Sequence, residues 1–396
     1  MNLEARDVME SSLISRAAAG AAALWNGAAR LRVGLYRKGL LPQKRLREKV
    51  ISVGNIAWGG SGKTPFTMWL ARRLQQGGLP VSILTRGFRR TSRERLQIIP
   101  PGTSPQAVAD AGDEVQLYLR NLPSTAGGPD GIPIGVSASR YDSGSLLEKQ
   151  FPVKVHLLDD GFQHVALHRD LDLVLVDAEN PWGRRGAFPS LLREPPAALG
   201  RADAILLTRC DLLPAAPGPN SIETLQSELL RWNPRAQFFA VRTRVLGFHR
   251  VDNERSVSEG ELRSLRPFAF CGVGNPRAFF RTLELSGISL VGEKTFPDHY
   301  RYGKTDLAAL EKAAAGNGAG CLVTTQKDLV NLPAGVKTNI PLYWTEIDLM
   351  VEEESRLLQW ISERLGLPLA GLADPPEAEA ESAQDHFVSE SKNGRL

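Results

Sequence analysis

The residues Gly59-Gly60-Ser61-Gly62-Lys63-Thr64 place four small residues directly before a lysine and a hydroxyl. Glycines let backbone N–H groups converge on phosphate oxygens with no Cβ in the way. Lys63 would reach the terminal phosphates of a nucleoside triphosphate, and the Thr64 hydroxyl would ligate Mg²⁺. The usual spacing puts a glycine five positions before Gly62, where this chain has Ala57, so the loop is a compressed variant. The elements that must hold it are present. An apolar, β-branched run (Val50-Ile51-Ser52-Val53) precedes it, and a helix-competent stretch, residues 66–74, follows. Strand, glycine loop and helix in that order form a phosphate-cradling P-loop, with the helix N-terminus adding partial positive charge. The plainer alternative is a tight strand-to-helix turn with a surface lysine.

Carboxylates recur at the ends of other apolar runs. Residues 151–158 lead into Asp159-Asp160, where a second Mg²⁺ contact is expected downstream of a P-loop. Two adjacent aspartates demand a cation or hydrogen-bond donors. Asp177, which ends the run 171–176, is the rival and reads better as a strand cap. Asp113-Glu114 opens a helical stretch, 115–122, and composition alone favours a simple N-terminal cap there. Arg86-Gly87-Phe88-Arg89-Arg90 follows a short buried strand, at the end of a sheet where ligands bind. His164 and His168 have the i, i+4 spacing of helical metal ligands, but the gap between two strands leaves little room for a helix and no third ligand is evident.

The chain has 396 residues, 42% hydrophobic and 23% charged, the composition of a soluble globular protein with two or three domains. Cys210, Cys271 and Cys321 are too scattered for a disulfide framework or a metal site, which fits a reducing cytosol. Strands alternating with helices imply a mainly parallel sheet. We expect an N-terminal basic amphipathic region at 1–45, a P-loop domain at 46–250, a second, smaller α/β domain at 251–366 and a disordered acidic tail at 367–396. The polar stretch 251–266 marks the boundary, and residues 267–276 begin a second strand, glycine turn and helix with no following lysine, so a second nucleotide site is not expected.

Residues 1–49 carry ten Lys or Arg against four acids, more positive charge than the net +4 of the whole chain. The uncharged run 17–25 is too short to span a bilayer. Trp25, Leu31 and Tyr36 beside a basic cluster suit an anionic membrane surface; an N-terminal helix packed on its own domain is the alternative.

Taken together these stretches resemble the tetraacyldisaccharide 4′-kinases, the lipid A kinases. The resemblance rests on residues 53–56 running into 59–65, then 86–90, 112–114, Asp159-Asp160-Gly161-Phe162-Gln163-His164, Leu192-Arg193-Glu194-Pro195, 270–276, Phe296-Pro297-Asp298-His299 and Thr325-Gln326-Lys327-Asp328, in the family's order over about 30–365. The departures are Phe88 and Arg89, where the family usually has Tyr and Gly, and residues 188–191, where a glycine is common.

The resemblance implies transfer of the ATP γ-phosphate to the 4′-hydroxyl of a tetraacylated glucosamine disaccharide 1-phosphate. It implies a peripheral place on the cytoplasmic face of the bacterial inner membrane, with no nucleic acid and no obligate protein partner. It further implies that Asp113 is the general base, paired with His299 from the second domain, which overturns the capping reading. Thr64, Asp159 and Asp160, with Glu114, are expected around Mg²⁺. A P-loop GTPase or ATP-driven assembly factor shares the Gly-Lys-Thr loop, but a GTPase needs an Asn-Lys-x-Asp base-reading motif, and Thr325-Gln326-Lys327-Asp328 lacks it. A nucleic-acid-binding protein would interleave its basic residues with stacking aromatics, which this chain does not do.

Overall fold

The computed structural model describes residues 27, 31, 33–36, 38–122, 131–183, 192–214, 218, 221–333 and 335–371. Most of the expected basic region, nearly all of the acidic tail and the departure at 188–191 lie outside them.

Among the described residues thirteen strands form one sheet. In chain order they are β1 (Lys49–Asn55), β2 (Val81–Thr85), β3 (Leu96–Ile99), β4 (Ile134–Ser137), β5 (Val155–Asp159), β6 (Leu171–Asp177), β7 (Ala204–Thr208), β8 (Gln237–Arg250), β9 (Ser256–Val257), β10 (Pro267–Cys271), β11 (Gly292–Thr295), β12 (Cys321–Thr325) and β13 (Leu342–Val351). Their order across the sheet is β11-β10-β12-β13-β8-β7-β6-β1-β5-β2-β4-β3, with β9 beside β8. Inner strands such as β2, β5 and β7 are buried throughout, which is why their sequences are mostly apolar.

The sheet runs without a break past residue 251, and β8 is the reason. Its first residues pair parallel to β7, while Val241 to Arg250 pair antiparallel to β13. The long strand therefore leaves the first block of parallel strands and enters a second, in which β12, β10 and β11 run parallel to β13. Because the β8–β13 pairing is antiparallel and displaced along β8, the carboxyl ends of the two blocks face one another across a cleft.

Helices cover the sheet. Helix α1 (Lys63–Gln76) follows β1, α2 (Asp113–Asn121) lies between β3 and β4, and α3 (Arg140–Gln150) leads back to β5. Phe66, Trp69, Leu70 and Leu74 of α1 are fully buried, and each such side chain contributes roughly 1.5–3 kcal/mol of transfer free energy. They share one core with Val115 and Tyr118 of α2 and with Leu357, Leu358, Ile361 and Leu365 of the last helix, Glu354–Leu365. That helix, expected with the second domain, packs on the first block and anchors the P-loop helix from behind. Residues 251–266 hold β9 and a short helix, Glu259–Ser264, started by a capping box between Ser258 and Glu261.

Candidate active site

The loop after β1 is fixed at both ends. The buried Asn55 amide donates to Ser61 Oγ at 2.9 Å, and Thr208 at the end of β7 donates to the Ser61 carbonyl at 3.1 Å. Gly62 takes a left-handed φ of 81° as α1 begins, with no side chain capping the helix and no acid in its first turn. An uncapped, acid-free helix start is a ready anion site. Lys63 is mostly buried and lies 3.4 Å from Asp160.

Asp159 and Asp160 end β5 in different surroundings. Asp159 is buried and accepts from the Tyr118 hydroxyl at 2.6 Å, with Thr67 at 3.4 Å and Thr64 Oγ1 at 3.5 Å. Burial pushes its carboxyl up, against the Tyr118 hydrogen bond. Asp160 turns to the cations: Arg193 donates to both its oxygens at 2.6 Å, and Lys63 adds its charge. Burial alone would raise the Asp160 carboxyl, but Lys63 and Arg193 overcome it and hold it at about 2. The compensation that two adjacent aspartates require thus comes from a tyrosine on one side and two cations on the other.

Glu114 sits nearby, held by Thr85 Oγ1 at 2.9 Å. Burial, then the Asp159 charge, pushes its carboxyl from 4.5 to about 7. Glu114 and Asp159 thus form a carboxylate pair short of positive charge, beside the Thr64 hydroxyl. That donor set fits Mg²⁺, a hard oxygen-seeking cation that takes one or two carboxylates and fills its shell with water and phosphate. Among the described residues no three His, Cys, Asp or Glu side chains close into a metal cage.

The raised Glu114 carboxyl has a stability consequence. The folded state holds this proton more tightly than the unfolded one, so the group's contribution is complete below about 4.5 and is lost as pH rises through about 7. In the nucleotide- and metal-free protein, thermal unfolding followed from pH 5 to 8 should show a steeper loss of melting temperature for the wild type than for Glu114→Gln. Parallel curves would refute the assignment.

Asp113 does not cap its helix. The N-cap is Gly112, and no side-chain cap bond forms there. The buried Asp113 carboxylate instead meets His299 Nδ1 at 3.0 Å, across the two strand blocks. His299 holds a left-handed φ of 59°, a sparsely populated region for a non-glycine residue. Phe88 packs on its ring at 4.7 Å between centroids, and Arg89 hydrogen-bonds its carbonyl. Arg89 stands where the resembling family has glycine, and its φ of 58° explains why glycine suits the position; here the cross-block contact compensates for the strain.

The second glycine turn packs against the P-loop as a wall of the same cleft. A Cβ on Gly274 would collide with Gly60. Asn275 donates to Asp177 at 3.1 Å, and Arg209 ties Asp177 to the Gly60 carbonyl. Asp177 therefore does more than end its strand: it joins the P-loop to the facing block. His164 and His168 lie in turns and an extended stretch, not on a helix.

The cleft between the blocks has a volume of about 930 Å³, with the P-loop, Asp159, Asp160 and His299 in its wall. Val33, Met68, Leu117, Phe279 and Ile347 add apolar lining. Sequence reasoning missed Tyr118, Arg209 and the pairing of Arg193 with Asp160. Tyr118 alone left a signal, since it stands one helical turn after Glu114 and so shares its face. Asp328 is also accounted for. It is fully buried and accepts from Gly272 N at 2.8 Å, Tyr302 Oη at 2.7 Å and Thr325 Oγ1 at 2.6 Å, so it pins a turn instead of reading a base.

The family described as tetraacyldisaccharide-1-P 4′-kinase, LpxK, matches residues 14–366. The tetraacyldisaccharide 4′-kinase of Syntrophobacter fumaroxidans is 37% identical over 326 residues, 82% of each chain. That of Geobacter sulfurreducens is 34% identical over 336 residues, 83% of this chain and 87% of its own. The crystal structure of LpxK from Aquifex aeolicus in complex with ATP superposes with a TM-score of 0.63 at 27% identity, covering 89% of this chain and 99% of that one.

Proposed function

This chain belongs to the tetraacyldisaccharide-1-phosphate 4′-kinase family, and on that footing we propose how its residues carry the reaction. The enzyme transfers the γ-phosphate of ATP to the 4′-hydroxyl of a tetraacylated glucosamine disaccharide 1-phosphate, a late step of lipid A biosynthesis. The observation that carries the assignment of roles is the Asp113–His299 contact, with His299 lining the same cleft as the P-loop. The P-loop GTPase and assembly-factor readings offer no reason for a buried carboxylate–imidazole pair facing the phosphate site.

A sugar hydroxyl is a poor nucleophile, so alignment and charge neutralisation must do most of the work. The backbone amides of residues 59–64 cradle the β- and γ-phosphates, and Lys63 leaves Asp160 to meet them. Thr64, Asp159 and Glu114, with Asp160, would hold Mg²⁺, which would supply charge neutralisation for the phosphates. As the 4′-oxygen attacks the γ-phosphorus, the bond to the ADP oxygen breaks and the hydroxyl proton passes to the Asp113 carboxylate. His299 orients that carboxylate.

The P-loop block, residues 46–250, contributes the nucleotide half of the site, and the smaller block, 251–366, contributes His299. The acceptor's acyl chains suit the apolar residues that line the cleft. They place the enzyme peripherally at the cytoplasmic face of the inner membrane, with the basic region 1–45 as its contact. Among the described residues no helix is long and apolar enough to cross a membrane. Incubation with labelled ATP and a lipid A disaccharide 1-phosphate in detergent should yield the 1,4′-bisphosphate. Nucleotide hydrolysis with no labelled lipid would refute the proposal.

A further inference from the structure

Lys327 has no place in the reaction as set out above, yet it touches the ring of His299. Its ammonium lies 3.1 Å from His299 Nε2 and 2.8 Å from Asp298. An ammonium group has only protons to give, so Nε2 must accept. The imidazole proton then sits on Nδ1, the nitrogen 3.0 Å from Asp113. We propose that Lys327 is a positioning residue for the Asp113–His299 pair: it holds His299 in the tautomer that donates from Nδ1 to the Asp113 carboxylate.

The charges around the ring make this hold necessary. Asp113 faces Nδ1, and the Asp298 carboxylate lies 3.9 Å from Nε2, where it would draw a proton. Lys327 stands between Asp298 and the ring and takes up that carboxylate itself. Arg89 reaches only the backbone carbonyl of His299.

The aim of Lys327 is set by its neighbour. Thr325 caps the turn that carries it, with Asp328 N donating to Thr325 Oγ1 at 3.1 Å. The buried Asp328 carboxylate holds Gly272 N, and the Gly272 carbonyl accepts from His299 N at 3.0 Å. Lysine and imidazole therefore hang from one anchor, and their separation is fixed by buried backbone contacts. The next residue in the chain is the structural one; Lys327 is left to act on the ring.

The effect on turnover rests on Asp113 being the base; the tautomer itself does not, and the experiment separates the two. The full chain labelled with ¹⁵N at its six histidines reports protonated and bare ring nitrogens in two-bond correlation spectra, with His299 identified by the signals lost in His299→Gln. Wild type should show a protonated Nδ1 and a bare Nε2. Lys327→Met should populate the Nε2-H form, and Lys327→Arg, which still donates, should restore the wild-type pattern. Turnover of Lys327→Met should fall about ten- to a hundredfold at unchanged KM for ATP, less than the roughly 10⁴-fold cost of a wrong tautomer when the imidazole is itself the base.

A lysine that merely bridged Asp298 would leave the spectrum untouched in Lys327→Met, and that result would overturn the proposal. So would a protonated Nε2 in the wild type, a measurement that stands even if Lys327→Met does not fold. A changed tautomer with unchanged turnover would support the hold on the ring and overturn instead the catalytic reading of the pair.

Discussion

Asp113→Asn should lower kcat by about 10²–10⁴-fold, the usual worth of a positioned general base, while ATP affinity stays at the wild-type value. The substitution is nearly isosteric. The asparagine carbonyl can still accept from His299 Nδ1 at the place where Oδ2 now lies, 3.0 Å away, so the contact between the blocks survives. What is lost is a carboxylate able to take the 4′-hydroxyl proton. Asp113 and its neighbour Glu114 also point to different partners: Glu114 to Thr85, and Asp113 across the cleft to His299. Steady-state kinetics beside a direct nucleotide titration separate the two roles. A loss of ATP affinity in step with turnover would mean that Asp113 serves the metal or the nucleotide, and the base would have to be sought elsewhere.

Lys63→Met should act on both constants. A P-loop lysine meets the phosphates in the ground state and meets more charge in the transition state, so KM for ATP rises and kcat falls. Removal of one preorganised donor of this kind costs about 10²–10³-fold in turnover. The charge in the resting site changes too. Lys63 and Arg193 together hold the Asp160 carboxyl at about 2 against its burial, and without Lys63 the acid keeps only Arg193. Lys63→Arg should restore little, because a planar guanidinium is wider than an ammonium and cannot follow the same path between Asp160 and the phosphates. Kinetics with ATP as the varied substrate check this, and wild-type KM with depressed kcat would place Lys63 away from the bound phosphates.

The contrast between these variants reflects how the site is divided. Lys63, Thr64, Asp159 and Glu114 belong to the first strand block. His299 and Lys327 belong to the second. Asp113 stands on the first and is completed by the second. Turnover should therefore respond to changes on either block, whereas nucleotide binding should respond mainly to the first.

The chain by itself determined everything that depends on local order. Buried strands read as apolar runs because both faces of a parallel sheet are covered, and the P-loop read as glycines before a lysine because only small residues let the backbone close on phosphate. Asp159-Asp160 announced a need for compensation, and motif resemblance picked out Asp113 and His299, which lie 186 positions apart. Composition alone misjudged Asp113 as a cap, because an acid in a first helical turn looks the same whether or not a partner waits across a cleft. The polar stretch after residue 250 reads as a boundary, but the sheet continues through β8, since one long strand pairing parallel on one side and antiparallel on the other leaves no local mark.

That pairing is what tertiary structure decided. The antiparallel register of β13 on the far half of β8 turns the second block around, so its strands end facing the P-loop and not beside it. From that one reversal follow the collision distance between Gly274 and Gly60, the Asp177–Arg209–Asn275 bridge and the meeting of Asp113 with His299 and Lys327. Strand direction is a long-range choice, set by which faces can be buried together, and no residue along β8 or β13 carries it alone.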